Sequence, residues 1–332
     1  MKVAINGFGR IGRQVLKIFY EKYPNIEVVA VNDLTENRIL AHLLRHDSNY
    51  GVFDTSITAT SKEIRVGGKA IKTFSEKEPA NLPWKELGID VVIEATGIFT
   101  NGTKAGGHLK AGAKKVIITA PGENVDRTIV LGVNQEAYQE NDNIISMASC
   151  TTNCLAPMAK VILDHFGIEK GFMTTVHAYT TDQRILDLPH DDLRRARAAA
   201  LNIIPTKTGA AKAIGSVIPE LEGKLDGYAM RVPTPTVSII DLVVQTKVDV
   251  TVEAANEAFK KVAEAEMKGL LTVNDENLVS TDFKGNAFSA IIDLPLTKVI
   301  GDNLLKAVGW YDNEWGYSNR ICDLALYIGK RL

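Results

Sequence analysis

The chain has 332 residues, room for two domains with separate cores. It is 45% hydrophobic and 23% charged, which excludes a disordered or fibrous chain, and its formal net charge of −2 gives no bulk positive field to draw nucleic acid or an anionic membrane. No apolar run approaches the length of a membrane span, and the N-terminus enters a strand without a signal-peptide pattern.

The first strand candidate, Val3–Asn6, is followed by Gly7-Phe8-Gly9-Arg10-Ile11-Gly12, which fits G-x-G-x-x-G. Three glycines permit a tight turn, close approach of backbone to a pyrophosphate, and close helix–strand packing. The helix that follows, Arg10–Tyr23, then turns its N-terminus to the phosphates. Alone the pattern is weak, because glycine turns are common; its place between a strand and an amphipathic helix gives it weight. A second strand, Val28–Asn32, ends in Asp33, about 20 residues beyond the last glycine. A carboxylate there accepts hydrogen bonds from both adenosine ribose hydroxyls and repels a 2′-phosphate, which favours NAD over NADP. The plainer alternative is a turn residue at a strand end.

A helix over Asn37–Leu44 and a hairpin over Ile64–Thr73, turning at Gly67-Gly68, come next. Strands over Val91–Glu94, Lys115–Thr119, Thr128–Val133 and Ile144–Met147, with a helical stretch near Thr103–Ala111, complete an alternation of strand and helix. This predicts an α/β fold with a mostly parallel, doubly wound (Rossmann) sheet. Ligands of such sheets lie beyond the carboxyl ends of strands. Thr96-Gly97 and Thr119-Ala120-Pro121-Gly122 are therefore candidates to complete a cofactor site, or else simple turns.

At Ala148-Ser149-Cys150-Thr151-Thr152-Asn153 the strand gives way to a helix, with Leu155, Met158, Ala159, Ile162 and Leu163 spaced three and four apart. A thiol at a helix N-terminus meets the positive end of the dipole, which is expected to lower its pKa. A buried structural cysteine is the alternative. His177 ends the strand Gly171–His177, which is expected to return to that helix N-terminus. There it would pair with the thiolate as imidazolium and act as general base, or else be a satisfied structural histidine. Cys154, one turn along, reads as packing. With Cys322 the cysteines number three, which is no disulfide framework; no paired Cys/His spacing suggests a metal, and a reactive thiol fits a reducing cytoplasm. A cysteine nucleophile on a dinucleotide-binding chain points to oxidation through a thioester.

Beyond this helix the strand candidates turn β-branched: Ala229–Val232, Val237–Val250 and Ala287–Asp293. The amphipathic helix Val252–Met267, with Thr251 as N-cap, lies among them. An α+β domain with a mixed, largely antiparallel sheet is expected. The last segment, Ser318–Leu332, reads as a helix returning to the first domain. The expected division is 1–149 with 313–332 for the dinucleotide and 150–312 for catalysis. Ser149, Thr151, Thr208 and Gly209 are small donors near turns, and Arg195 and Arg231 are single cations in otherwise apolar or helical settings; such groups suit a phosphate oxyanion. The run Asp192-Leu193-Arg194-Arg195-Ala196-Arg197, inside the long Tyr179–Ile204 segment, reads equally as a solvated or subunit-contact face.

Several segments carry a resemblance: Ala4 to Arg13, Ala148 to Cys154, Thr174-Thr175-Val176-His177, Asp192 to Arg197, Thr208 to Lys212, Arg231-Val232-Pro233, and Trp310 to Tyr317. Over essentially its full length the chain resembles the phosphorylating glyceraldehyde-3-phosphate dehydrogenases. The resemblance implies Cys150 as nucleophile and His177 as its activator. It implies a pocket of Thr180, Arg195 and Arg231 for the substrate's phosphate, and one of Ser149, Thr151, Thr208 and Gly209 for attacking inorganic phosphate. It also implies cofactor contacts from Arg10, Ile11, Asp33, Lys77, Thr119 and Asn313. Leu188-Pro189 match the NAD-type variant of a loop that reaches a neighbouring subunit's cofactor, and the family is cytoplasmic, homotetrameric and glycolytic or gluconeogenic. Met147, Thr181 and Lys207 depart from the commonest pattern, as does Lys77 where arginine is frequent near the adenine. Competing readings are an erythrose-4-phosphate dehydrogenase, a non-phosphorylating semialdehyde dehydrogenase, and a catalytically silent NAD-binding regulator.

Overall fold

A computed structural model describes residues 1–332, with every side chain except that of Lys212. The chain divides into two compact units, 1–129 with 136–148 and 318–332, and 130–135 with 149–317. Ser149 and residues 313–317, expected in the dinucleotide unit, are thus counted with the second, as is the short stretch 130–135.

In the first unit the strands are β1 (Lys2–Asn6), β2 (Glu27–Asn32), β3 (Ile57–Ala59), β4 (Glu63–Val66), β5 (Lys69–Phe74), β6 (Val91–Glu94), β7 (Lys115–Ile118), β8 (Arg127–Thr128) and β9 (Ile144–Ser146). They form one sheet in the order β8-β9-β7-β6-β1-β2-β5-β4-β3. Pairing is parallel from β8 across to β5 and antiparallel through the β5-β4-β3 edge. β6 and β7 are buried at every residue, as strands covered on both faces must be, and so read as unbroken apolar runs. The helices α1 (Arg10–Lys22) and α2 (Asn37–Arg45) follow β1 and β2. Gly67 and Gly68 both take positive φ, 54° and 81°, the conformation a two-residue hairpin turn demands.

Two expectations fail here. The helix over Thr103–Ala111 is two short pieces, Gly102–Ala105 and Gly107–Lys110, broken at a glycine pair that weakens helix propensity. The strand over Thr128–Val133 stops at Thr128. The Asn134 and Gln135 side chains take the Val130 and Gly132 N–H groups at 2.8 and 2.7 Å, so no ladder forms.

In the second unit the long helix α3 (Cys150–Phe166) precedes β10 (Lys170–Ala178), β11 (Ile204–Lys207), α4 (Ala210–Val217), β12 (Leu225–Val232), β13 (Ser238–Gln245), α5 (Val252–Glu264), β14 (Leu271–Asn274), β15 (Ala290–Asp293), β16 (Lys298–Ile300) and β17 (Leu304–Tyr311). The sheet order is β11-β12-β10-β13-β17-β15-β14, with β16 also on β17. β10–β12 and β14–β15 are parallel and the other pairings antiparallel. β13 alternates buried and half-buried residues, the period of a strand with one face on a core. The Thr251 hydroxyl caps α5 by accepting from Ala254 N. The expected strand Val237–Val250 is shorter, because Thr246 turns to bond Asn303 and Val248. α6 (Trp315–Gly329) starts three residues early: Asp312 Oδ1 accepts from the N–H groups of Glu314 and Trp315.

Candidate active site

The turn from β1 into α1 is built on close approach. Gly7 has φ +90°, and a Cβ there would lie 2.6 Å from Thr96 N; one on Gly12 would lie 2.2 Å from Gly7 O. At Gly9 a Cβ would meet nothing within 4 Å, so the space before the helix is open. α1 has no side-chain cap and no acidic residue in its first turn to compete with an anion. Asp33 is held in place by its own oxygens, Oδ2 accepting from Phe8 N at 2.8 Å and Oδ1 from Thr35 N at 2.9 Å. Gly7, Gly9, Asp33, Lys77 and Thr96 share the lining of one cleft of about 560 Å³. These features fit a dinucleotide. Arg10, Ile11, Gly12 and Thr119 are not among its lining residues. The Arg10 guanidinium turns instead to Asp47, at 2.7 Å, and Thr119 N continues the ladder to Glu94 O.

Beneath this cradle lies a buried polar network that sequence reasoning missed. Glu94 Oε2 accepts from Asn6 Nδ2 at 2.6 Å and from His108 Nε2 at 3.0 Å, while Oε1 accepts from Thr96 N at 2.9 Å and from the Thr96 hydroxyl. Trp84 Nε1 donates to His108 Nδ1 at 3.0 Å. An indole can only donate, so His108 Nδ1 accepts and Nε2 is the nitrogen that donates to Glu94. A charged residue ending the apolar run Val91-Val92-Ile93 was the available signal.

Ala148, the last residue of the 136–148 stretch, adopts φ 54°, a left-handed turn just before α3. Ser149 caps that helix, its hydroxyl accepting from Thr152 N at 3.0 Å and meeting Thr152 Oγ1 at 2.8 Å. Cys150, the first helical residue, is part-exposed, and its Sγ lies 3.5 Å from His177 Nε2. Cys154 is wholly buried against Met158 and Gly309, as expected of packing.

The electrostatics differ from expectation. Burial pushes the Cys150 thiol up, and the opposing influences of Arg231, the Thr151 hydroxyl and helix-end N–H groups do not reverse it. Burial, then Arg231, push His177 down to about 3. Arg231 Nη1 lies 2.6 Å from His177 Nδ1 and donates to Ala178 O at 2.9 Å. His177 Nδ1 also lies 2.7 Å from Ala178 O, so it stands between a group that only donates and one that only accepts, and its role turns on which of the two it pairs with.

Of the remaining candidates, Arg195 makes one bond from each nitrogen, Nε to Thr206 Oγ1 at 2.9 Å, Nη1 to Asp182 at 2.5 Å and Nη2 to Lys207 O at 3.1 Å, which leaves one N–H on each Nη. Thr180 N donates to Gln183 Oε1 at 3.2 Å. Thr208 Oγ1 accepts from Ala210 N at 3.2 Å at the start of α4. Thr208 and Gly209 line a groove of about 1180 Å³ whose lining does not include Cys150. Thr151 is buried, with Oγ1 on the Tyr311 hydroxyl at 3.0 Å, which is not the open placement expected of a phosphate donor. Asn313 Oδ1 accepts from the Ser238 hydroxyl at 3.0 Å. Among the described residues no cluster could hold a metal ion, and no helix is long and apolar enough to cross a membrane.

A glycine cradle on a doubly wound sheet and a cysteine–histidine pair on a mixed sheet fit an NAD-dependent oxidoreductase. Family models agree: residues 1–102 match the NAD binding domain of glyceraldehyde 3-phosphate dehydrogenase, and residues 149–313 match its C-terminal domain. The chain belongs to the glyceraldehyde-3-phosphate dehydrogenase family. It is 57% identical to the glyceraldehyde-3-phosphate dehydrogenase of Geobacillus stearothermophilus, covering 100% of this chain and 99% of the relative. Glyceraldehyde-3-phosphate dehydrogenase 1 of Bacillus subtilis is 55% identical, with the same coverage. A chloroplastic enzyme of that name from Arabidopsis thaliana is 56% identical over 98% of this chain and 83% of its own.

Proposed function

We propose that the protein oxidises D-glyceraldehyde 3-phosphate to 1,3-bisphosphoglycerate with NAD and inorganic phosphate. The observation that carries this reading is the Cys150–His177 pair, 3.5 Å apart at the head of α3 and flanked by Arg231. The Cys150 sulfur attacks the aldehyde carbon to form a hemithioacetal. Arg231, Arg195 and Thr180 hold the substrate's own phosphate. As that phosphate draws Arg231 off Nδ1, this nitrogen becomes a donor to Ala178 O, 2.7 Å away, and Nε2 becomes an acceptor. His177 then removes the hemithioacetal hydroxyl proton. NAD, when bound, supplies the hydride acceptor. The carbon is left as a Cys150 thioester, which inorganic phosphate held by Ser149, Thr208 and Gly209 attacks, releasing the acyl phosphate and restoring the sulfur. The Cys150 N–H and His177 oppose the oxyanion's charge, worth ~3 kcal/mol per donor.

The NAD-binding domain is 1–149 with 313–332 and the catalytic domain 150–312. Exposed Ile185, Leu186, Leu188, Leu193, Leu201 and Ile203 form the contact of a homotetramer. The protein works in the cytoplasm, on small molecules, without nucleic acid or membrane. The test is aldehyde oxidation with phosphate and cofactor varied. Phosphate-dependent turnover with NAD is expected, with a burst of one NADH per subunit when phosphate is withheld. Phosphate-independent turnover of erythrose 4-phosphate in preference would assign the sister enzyme. NAD binding without a burst would leave a silent regulator.

A further inference from the structure

β6, β1 and β2 lie side by side, and each ends in a polar residue: Glu94, Asn6 and Asn32. The three stand opposite one another across the ladder, Asn6 against Glu94 on one side and against Asn32 on the other. All are buried, so their polar atoms need partners inside the protein. Those partners form a line. Glu76 N donates to Asn32 Oδ1 at 2.8 Å, and Asn32 Nδ2 donates to Glu76 O at 2.8 Å and to Asn6 Oδ1 at 2.7 Å. Asn6 Nδ2 then donates to Glu94 Oε2 at 2.6 Å. The backbone fixes the sense of this line. A peptide N–H only donates and a peptide oxygen only accepts, so Glu76 assigns both atoms of the Asn32 amide. Asn6 must then turn its oxygen to Asn32 and its nitrogen to Glu94.

The sheet's own ladder reaches as far as Asp33 N on Phe74 O, at 3.1 Å. Glu76 lies two residues beyond the end of β5, where the chain has left the sheet, and the Asn32 amide takes both of its backbone groups. Glu76, Lys77 and Glu78 line the Asp33 cleft, and so does Thr96, whose N–H is held by Glu94 Oε1 at 2.9 Å. Asn6 and Asn32 border the same cleft, but their amides are directed at Glu76, at Glu94 and at each other. We propose that Asn32 is a positioning residue for the cofactor: its amide is a two-point clamp on the Glu76 backbone, tied through Asn6 to Glu94. The 76–78 segment and Thr96 are thereby held as one frame around the space beside Asp33. A frame formed in advance spares NAD the entropy of ordering that segment, so it sets affinity for the adenosine half and leaves the reacting carbon alone. The clamp rests on the reading of this cleft as the adenosine seat.

The test uses the full chain with Asn32→Ala. The KM for NAD and the Kd for ADP-ribose are expected to rise together by about 5–20-fold, while kcat at saturating NAD falls by no more than about twofold. Equal falls in kcat and kcat/KM, or an unchanged Kd for ADP-ribose, overturn the clamp. Hydrogen exchange reads it directly. The Glu76 amide should be protected in the cofactor-free wild type and should exchange at least about tenfold faster in Asn32→Ala, with the Asp33 amide of the ladder unchanged. A wild-type Glu76 amide that exchanges as freely as an open loop overturns the clamp, even if Asn32→Ala does not fold. Asp33→Ala separates the clamp from the reading beneath it. If ADP-ribose binding survives Asp33→Ala, the cleft is not the adenosine seat and the clamp has no cofactor to position. If binding weakens there but not in Asn32→Ala, the clamp alone is wrong.

Discussion

Glu94 in the first unit and Tyr311 in the second occupy comparable places. Each is buried, and each ties strand ends or elements that carry functional residues. They do so by opposite means. Glu94 accepts four hydrogen bonds, from Asn6, His108 and twice from Thr96. All its lone pairs point to fixed donors, so the cradle around Gly7 has one low-energy arrangement, and losing any donor is costly in a dry interior. Tyr311 is neutral and sits among hydroxyls, whose protons can rotate. Such a network can reorient its donors as nearby charges change. A binding cradle is rigidified by a satisfied carboxyl group, whereas a reacting centre is supported by groups that can follow a changing charge.

The sharpest way to separate the two regions is Cys150→Ser. Oxidation should fall by about 10⁴-fold or more, while NAD binding, read by tryptophan fluorescence, stays as it was. Retained turnover would mean that the pair at the head of α3 is not the reacting centre. His177→Asn should cost about 10²- to 10⁴-fold in rate. It also carries a signature in pH. The folded state holds His177 down to about 3, so between there and the unfolded value near 6.5 the unfolded chain binds a proton that the folded chain refuses. Stability is therefore full above about pH 6.5 and is lost as pH falls toward 3. The drop in Tm between about pH 7 and 4 should shrink in His177→Asn; an equal drop would place the acid sensitivity elsewhere.

Breaking the other network has a different outcome. Glu94→Gln sets an amide donor against the donors of Asn6, Thr96 and His108, and should cost about 2–3 kcal/mol of stability. The Kd for NAD should rise about tenfold as the cradle loosens, with Cys150 alkylation in the cofactor-free enzyme unchanged. Matching losses in both readouts would show that the two networks are not independent. The smallest effect belongs to the rim of the cleft. Asp33→Gly should reduce the preference for NAD over NADP by about 10- to 100-fold with little change in stability. An unaltered preference would end the ribose argument.

Much of the first unit was legible because its signals are local. The Gly7–Gly12 spacing, the buried runs of β6 and β7 and the Gly67-Gly68 hairpin need only neighbours in the chain to be read. β17 escaped notice, although it lies centrally in the second sheet, because Leu304–Tyr311 mixes Lys306 and Gly309 into its apolar pattern. The polar partners escaped for a related reason. Asn6 meets Glu94, and Thr151 meets Tyr311, across separations of 88 and 160 residues, with no periodicity to announce them. At Cys150 the helix N-terminus is visible in the sequence, whereas the burial that pushes the thiol up is not.

The amino-acid sequence by itself determined the two-part plan, the glycine turn with Asp33 at the end of the next strand, and the identity of the thiol and imidazole. Only the tertiary structure decided that Arg231 and Ala178 O meet His177 Nδ1, that Arg195 is tied to Asp182 and Thr206, and that Tyr311 bridges Thr151 and Thr175. Local pattern dictates which backbone forms and which residue types are present. Proton positions and pKa values depend on desolvation and on donors a few ångströms away in space, and those exist only once distant strands have been brought together.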